Sequence, residues 1–161
     1  MGGIRLMWIR PPQSTLDLMF RTGSGLIDAE YAFTRARRAS RRAALARSLR
    51  RDRAGRRLRV FCGSDRGRSF GGGLREIPLD AIHGTLEPTR ASQFDGCFRP
   101  ITRSARARWE RVWLAEDRGA ILPPISVVAI GDGYAVLDGH HRVSVARSRG
   151  AVAIDATVAS R

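Results

Sequence analysis

The sequence has no lysine: all 29 of its basic residues are arginine. Guanidinium forks suit phosphate, but a total lack of lysine beside abundant alanine and glycine fits a GC-rich coding bias. The arginine choice alone therefore assigns no function. Cysteine is scarce as well. Cys62 and Cys97 lie 35 positions apart with no Cys-x-x-Cys spacing; nothing in that pattern demands a disulfide, and two reduced thiols are the expectation. Long apolar runs are missing too. The opening MGGIRLMWIRPPQSTLDLMF is broken by Arg5, Arg10 and a proline pair, so neither a signal peptide nor a membrane span is expected. A cytoplasmic protein without a membrane partner is the expectation.

What the chain does have is charge, unevenly placed. Its formal net charge is +14. Residues 1–75 hold 18 arginines against 5 acidic residues, whereas residues 76–161 hold 11 against 10. The excess sits in the front half. There, DAEYAFTRARRASRRAALARSLR from Asp28 to Arg50 contains no Gly or Pro and predicts a basic helix. Asp28 is the expected N-cap, and Tyr31, Leu45 and Leu49 with several alanines form the expected apolar face. Residues 1–25 are poorly patterned, and Cys62 to Gly73 reads as a Gly-rich connector. This divides the chain into a basic, partly helical segment over 1–73 and a folded domain over 74–161.

Within that domain LREIPLDAI predicts a strand near a sheet edge, because Pro78 lacks a ladder donor. HGTLEPTRASQFDGCFRPITR is loop-like. SARARWERVWLAEDRG is helical, with Trp109 and Trp113 at core spacing, Ser104 or Thr102 to cap its start and Gly119 to end it. ISVVAI and YAVLD are strands joined by a Gly131-Asp132-Gly133 turn. HHRVSVARSRG is a helix and AIDATVA a closing strand. The order β–α–β–β–α–β predicts a small α+β domain with a mixed sheet.

The densest stretch is DGHHR, Asp138 to Arg142, at the corner between a strand and a helix. A helix start leaves its first backbone N–H groups unpaired and carries the positive end of the dipole, which suits an anion. Gly139 lets backbone approach a ligand, Arg142 adds a donor fork, and His140 and His141 add hydrogen bonds and a titratable charge. The plainer alternative is that Asp138 caps the helix and the histidines are surface residues of its first turn. A histidine metal pair is disfavoured, since adjacent helical residues point about 100° apart. No metal site is expected.

The block from Leu74 to Val158 resembles the ParB/sulfiredoxin superfamily. GHHR stands where partition ParB proteins carry a Gly-Glu-Arg-Arg box and sulfiredoxins a Gly-Cys-His-Arg box. IPLDAI is similar to the opening strand, PTRASQFD to the Pro-Arg…Phe-Asp segment, and DRGAILPPISVV to the Gly…Pro-Ile-x-Val step. DGHHR is closest to small bacterial members of the group. The resemblance implies that Gly139, His140, His141 and Arg142 cradle nucleotide phosphates, with Arg90 as a further contact. His140 replaces the reactive cysteine of sulfiredoxins and the acidic residue of the ParB box, so sulfinic-acid reduction is not expected. Family free-serine kinases use a similar box preceded by Asp.

The expected function is therefore binding of a nucleoside di- or triphosphate (ATP, ADP or CTP, with Mg²⁺), serving phosphoryl transfer or nucleotide hydrolysis. His141 would donate to the transferring group, and Asp138 or Glu87 would act as base. Such chemistry needs mainly positioning and charge neutralisation. The alternative is a DNA-binding protein that contacts phosphates without reading sequence, through residues 35–59 and above all Arg37, Arg38, Arg41 and Arg42. A third reading is a catalytically idle adaptor.

Overall fold

The computed structural model describes residues 22–50, 56–62 and 73–159. The expectations of little structure before residue 22 and of a flexible stretch after Cys62 fall mainly outside these residues. The chain runs α1 (Gly25–Leu49), β1 (Arg59–Val60), β2 (Gly73–Pro78), β3 (Ile82–Thr85), α2 (Pro88–Ala91), α3 (Arg106–Asp117), β4 (Ile125–Ile130), β5 (Gly133–Asp138), α4 (His140–Ser148) and β6 (Ala153–Val158). The fold is mixed α+β. Its six strands form one mixed sheet in the order β1-β3-β5-β4-β6-β2. β4 pairs antiparallel with β5 and parallel with β6, and β3 pairs parallel with both β1 and β5. β2 pairs antiparallel with β6 over six residues and occupies the edge expected from Pro78.

Two strands went unread in the sequence. β3 lies at the start of the stretch taken as loop, because Gly84 weakens a strand pattern. The glycine is needed there: a Cβ at residue 84 would run into the backbone carbonyl of Arg59 on β1 and into Phe61. β1 itself is only two residues long and comes from the basic front segment. The expected boundary at 73/74 falls at the first residue of β2, and β1 from the front segment belongs to the same sheet. Leu58, Ala29, Ala32 and Phe33 from the front segment also join the main apolar core.

α1 packs across α3. Its buried face is Ala29, Ala32, Phe33 and Ser40, with small residues allowing close approach. Phe33 meets Trp109 edge-on, with ring centroids 5.6 Å apart. The face expected to be apolar is the one facing outward: Tyr31, Leu45 and Leu49 are 60%, 63% and 79% exposed. A helix turns its contact face toward whatever the tertiary partner offers, and here that is an indole. Asp28 does not cap α1, which starts a turn earlier after Ser24. Its carboxylate instead accepts from the backbone N–H and hydroxyl of Thr22, each at 2.8 Å.

Trp109 is fully buried, and its indole N–H donates to the Ser144 hydroxyl at 2.9 Å. That bond fixes α3 against α4 and so sets what the start of α4 faces. At the C-terminal end of α4, Arg147 donates to the carbonyls of Leu79 and Ile82, and Arg149 to that of Trp113. Among the described residues no helix is long and apolar enough to cross a membrane.

Candidate anion site at the start of α4

β5 ends at Asp138, and the chain turns into α4 at Gly139, whose φ is +102°. An L side chain is strained there, and a Cβ would lie 2.8 Å from the Cβ of Ile125. The space saved by Gly139 is thus filled by Ile125. The first intrahelical bond runs from the Val143 N–H to the Gly139 carbonyl at 3.0 Å, and no side chain caps the turn. The N–H groups of His140, His141 and Arg142 precede that first bond, as at any helix start. Asp138, named both as base and as possible cap, caps nothing.

Asp138 is instead held by Arg142, whose Nη2 donates to Oδ2 at 2.7 Å. Nη1 of the same guanidinium donates to the carbonyls of Pro123 and Pro124. The Arg142 side chain is only 13% exposed. Its fork is occupied by the chain entering β4, so it braces the corner rather than offering free donors to a phosphate. Asp138 remains 64% exposed but shares its carboxylate with that fork. Glu87, the other candidate base, is exposed, and its backbone N–H donates to the Thr85 hydroxyl at 2.8 Å.

Neither histidine is a surface residue. His140 is 3% exposed and His141 is 5% exposed. The His140 ring stacks on Phe94 at 6.5 Å and lies tilted against Phe98 at 6.4 Å. Its Nε2 lies 2.7 Å from the Thr85 hydroxyl, which also reaches the Val136 carbonyl at 3.1 Å. His141 sits edge-on to Phe94 at 5.1 Å, and its Nε2 is buried with no hydrogen-bond partner. Burial above all pushes both pKa values down to about 4. For His140 the Arg90 guanidinium adds to this and Arg108 less so, and Asp138 opposes. For His141 the order is Arg108, then Arg90, then His140, again with Asp138 opposing. Both imidazoles are therefore neutral at pH 7. They act through hydrogen bonds, and the expected titratable charge of the box is absent at that pH.

The start of α4 thus gathers two neutral buried imidazoles, one with an unused nitrogen, within the field of two guanidiniums. Arg90 comes from α2 and Arg108 from α3. Neither has a carboxylate partner among the described residues, whereas Arg99, Arg106, Arg142 and Arg149 all do. Of the expected phosphate contacts, Arg90, His140 and His141 come together and Arg142 is committed elsewhere. Arg108 and Thr85 were missed. Arg108 is one of several arginines in a helical run, and only the neighbouring Trp109–Ser144 bond turns that part of α3 toward α4. Thr85 was hidden in the unread strand β3.

The other expected contacts, Arg37, Arg38, Arg41 and Arg42, lie on α1. The latter three are exposed, and Arg37 is half-buried with its Nε donating to the Ile101 carbonyl at 3.4 Å. Comparison with protein-family models, with curated proteins and with solved structures gives no match for this chain.

Proposed function

We propose that the start of α4 binds the phosphate groups of a nucleoside di- or triphosphate, in a domain of the ParB/sulfiredoxin kind. One observation carries this reading: the buried Nε2 of His141, without a hydrogen-bond partner among the described residues, lies at an uncapped helix start flanked by two arginines that have no carboxylate partner among those residues. A buried polar atom without a partner costs on the order of 1–3 kcal/mol. Retaining one beside unpaired cations fits a ligand that supplies both the acceptor and the negative charge. Arg90 and Arg108 would neutralise the phosphates, the first-turn N–H groups would donate to them, and His141 would donate as its Nε2–H tautomer. The succession of strand, short helix, helix, hairpin, corner, helix and strand agrees with the resemblance carried by GHHR, PTRASQFD and IPLDAI.

This donor set is cationic and neutral, so it fits an anion. Asp138, the carboxylate that acts on both histidines, is engaged by Arg142, and Mg²⁺ would enter with the nucleotide it screens. Phosphoryl transfer or nucleotide hydrolysis is the chemistry that such positioning and charge neutralisation would serve.

Calorimetric titration with CTP, ATP and ADP, with and without Mg²⁺, tests the reading on the wild-type chain and on Arg90→Ala and Arg108→Ala. Binding of at least one nucleotide, weakened about tenfold or more in each variant, is expected from the loss of one charge-assisted contact. Absence of binding, or binding indifferent to both substitutions, would refute it. Arg142→Ala is a poor probe, since it also releases the corner.

A further inference from the structure

The second concentration of unpaired charge lies away from the α4 corner, along α1. Residues 31–50 carry seven arginines and no acidic residue. Arg37, Arg38, Arg41, Arg42 and Arg103 have no carboxylate partner among the described residues. The helix's own glutamate, Glu30, is taken by Arg106 of α3 at 2.8 Å. Arg37 and Arg41 form one i,i+4 pair and Arg38 and Arg42 a second beside it. Such like-charge neighbours destabilise a helix by a few tenths of a kcal/mol each. Arg37 leans toward the turn before α3 through its bond to Ile101. Burial, Arg41 and Arg103 together lower its pKa from the ordinary arginine value. Guanidiniums from two separate chain segments thus crowd one place, with no carboxylate among the described residues paired to them.

We propose that the outward face of α1, with Arg103 beside it, docks the phosphate backbone of a nucleic-acid duplex. After Ser40 no residue of α1 is buried, so its C-terminal half is accessible along its length. Single strands are bound by stacking bases on exposed aromatic rings. Among the described residues of this region Phe33 and Phe61 are buried, and Tyr31 is the one exposed ring. A membrane-surface helix needs a continuous apolar stripe. The outward apolar residues fall in two groups, Ile27 with Tyr31 and Leu45 with Leu49, with Arg38 and Arg42 between them on the same face. A row of guanidiniums with a single exposed ring and no continuous apolar stripe matches a duplex backbone read by charge alone.

Fluorescence anisotropy of a labelled duplex of arbitrary sequence, titrated with the full chain at several salt concentrations, tests this. Wild type should bind at low salt, and log K should fall linearly with log salt at about 0.9 per phosphate contact. The variant Arg37→Gln/Arg41→Gln/Arg103→Gln should flatten that slope by about 3 and weaken binding at least about tenfold. The exposed pair Arg38→Gln/Arg42→Gln should flatten it by about 2. Arg90→Ala should leave duplex binding unchanged, which separates this surface from the nucleotide reading. An unchanged slope in both arginine variants would overturn the proposal. So would tighter binding of a single strand, loss of duplex binding in Arg90→Ala, or binding only to phosphatidylserine vesicles.

Discussion

Arg142 reaches back one helical turn to Asp138 at 2.7 Å and forward to the carbonyls of Pro123 and Pro124. One guanidinium thereby ties the end of β5, the first turn of α4 and the entry to β4 into one corner. Arg142→Ala should lower stability by about 2 kcal/mol, the scale of lost hydrogen bonds to a charged group. Arg142→Lys keeps the charge but not the fork and should recover only part of the loss. Urea unfolding of the three proteins checks this; equal stabilities would remove the bracing role.

Gly139 combines a φ of +102° with contact against Ile125. Gly139→Ala should therefore cost about 2–4 kcal/mol, adding backbone strain to overpacking. Adding Ile125→Ala removes the Cγ2 that the new Cβ would meet, so the double variant should lose less than the two single substitutions summed, with the strain remaining. Thermal unfolding of the single and double variants separates the two.

Thr85 is 0% exposed and serves His140, the Val136 carbonyl and the Glu87 N–H with a single hydroxyl. Thr85→Val preserves shape and strands those partners, so a loss of about 2 kcal/mol is expected. Thr85→Ser keeps the hydroxyl and should lose markedly less. Chemical denaturation of the pair distinguishes lost bonding from lost packing.

Both histidines have folded pKa values of about 4, below the 6.5 of the free side chain. The unfolded chain binds more protons between those values, so stability rises with pH across that window. The contribution is complete above about pH 6.5 and is lost as pH falls toward 4, at roughly 1.4 kcal/mol for each pH unit and each histidine. Melting temperature measured from pH 8 to pH 4 should fall through this range. His140→Gln/His141→Gln should show a flatter profile even if less stable at pH 8. A wild-type profile level between pH 6.5 and 4.5 would contradict the burial of both neutral rings.

Much of the fold could be read from local pattern. Gly131-Asp132 between two apolar runs marks the β4–β5 hairpin, the heptad-like spacing around Trp109 and Trp113 marks α3, and Gly139 before an unbroken apolar-periodic run marks the β5–α4 corner. These features depend on residues close in the chain. β3 escaped because Gly84 depresses the local signal for a reason found only on the neighbouring strand, the approach of Arg59's backbone. The outward turn of Tyr31, Leu45 and Leu49 escaped because helical periodicity does not say which of two faces meets the indole of Trp109.

By itself, the sequence determined that a strand gives way to a helix at Asp138-Gly139, with histidines and an arginine in the first turn. Backbone conformation and dipole there follow from residue type. Which of those side chains would be free was settled only by tertiary packing. Phe94, Phe98 and Thr85, distant in the chain, buried the histidines and took away their charge. The carbonyls of Pro123 and Pro124 claimed Arg142. α3, held to α4 by the Trp109–Ser144 bond, brought Arg108 to a place no local pattern could foretell. Burial and charge pairing are properties of neighbours in space, and a single chain read in order does not reveal them.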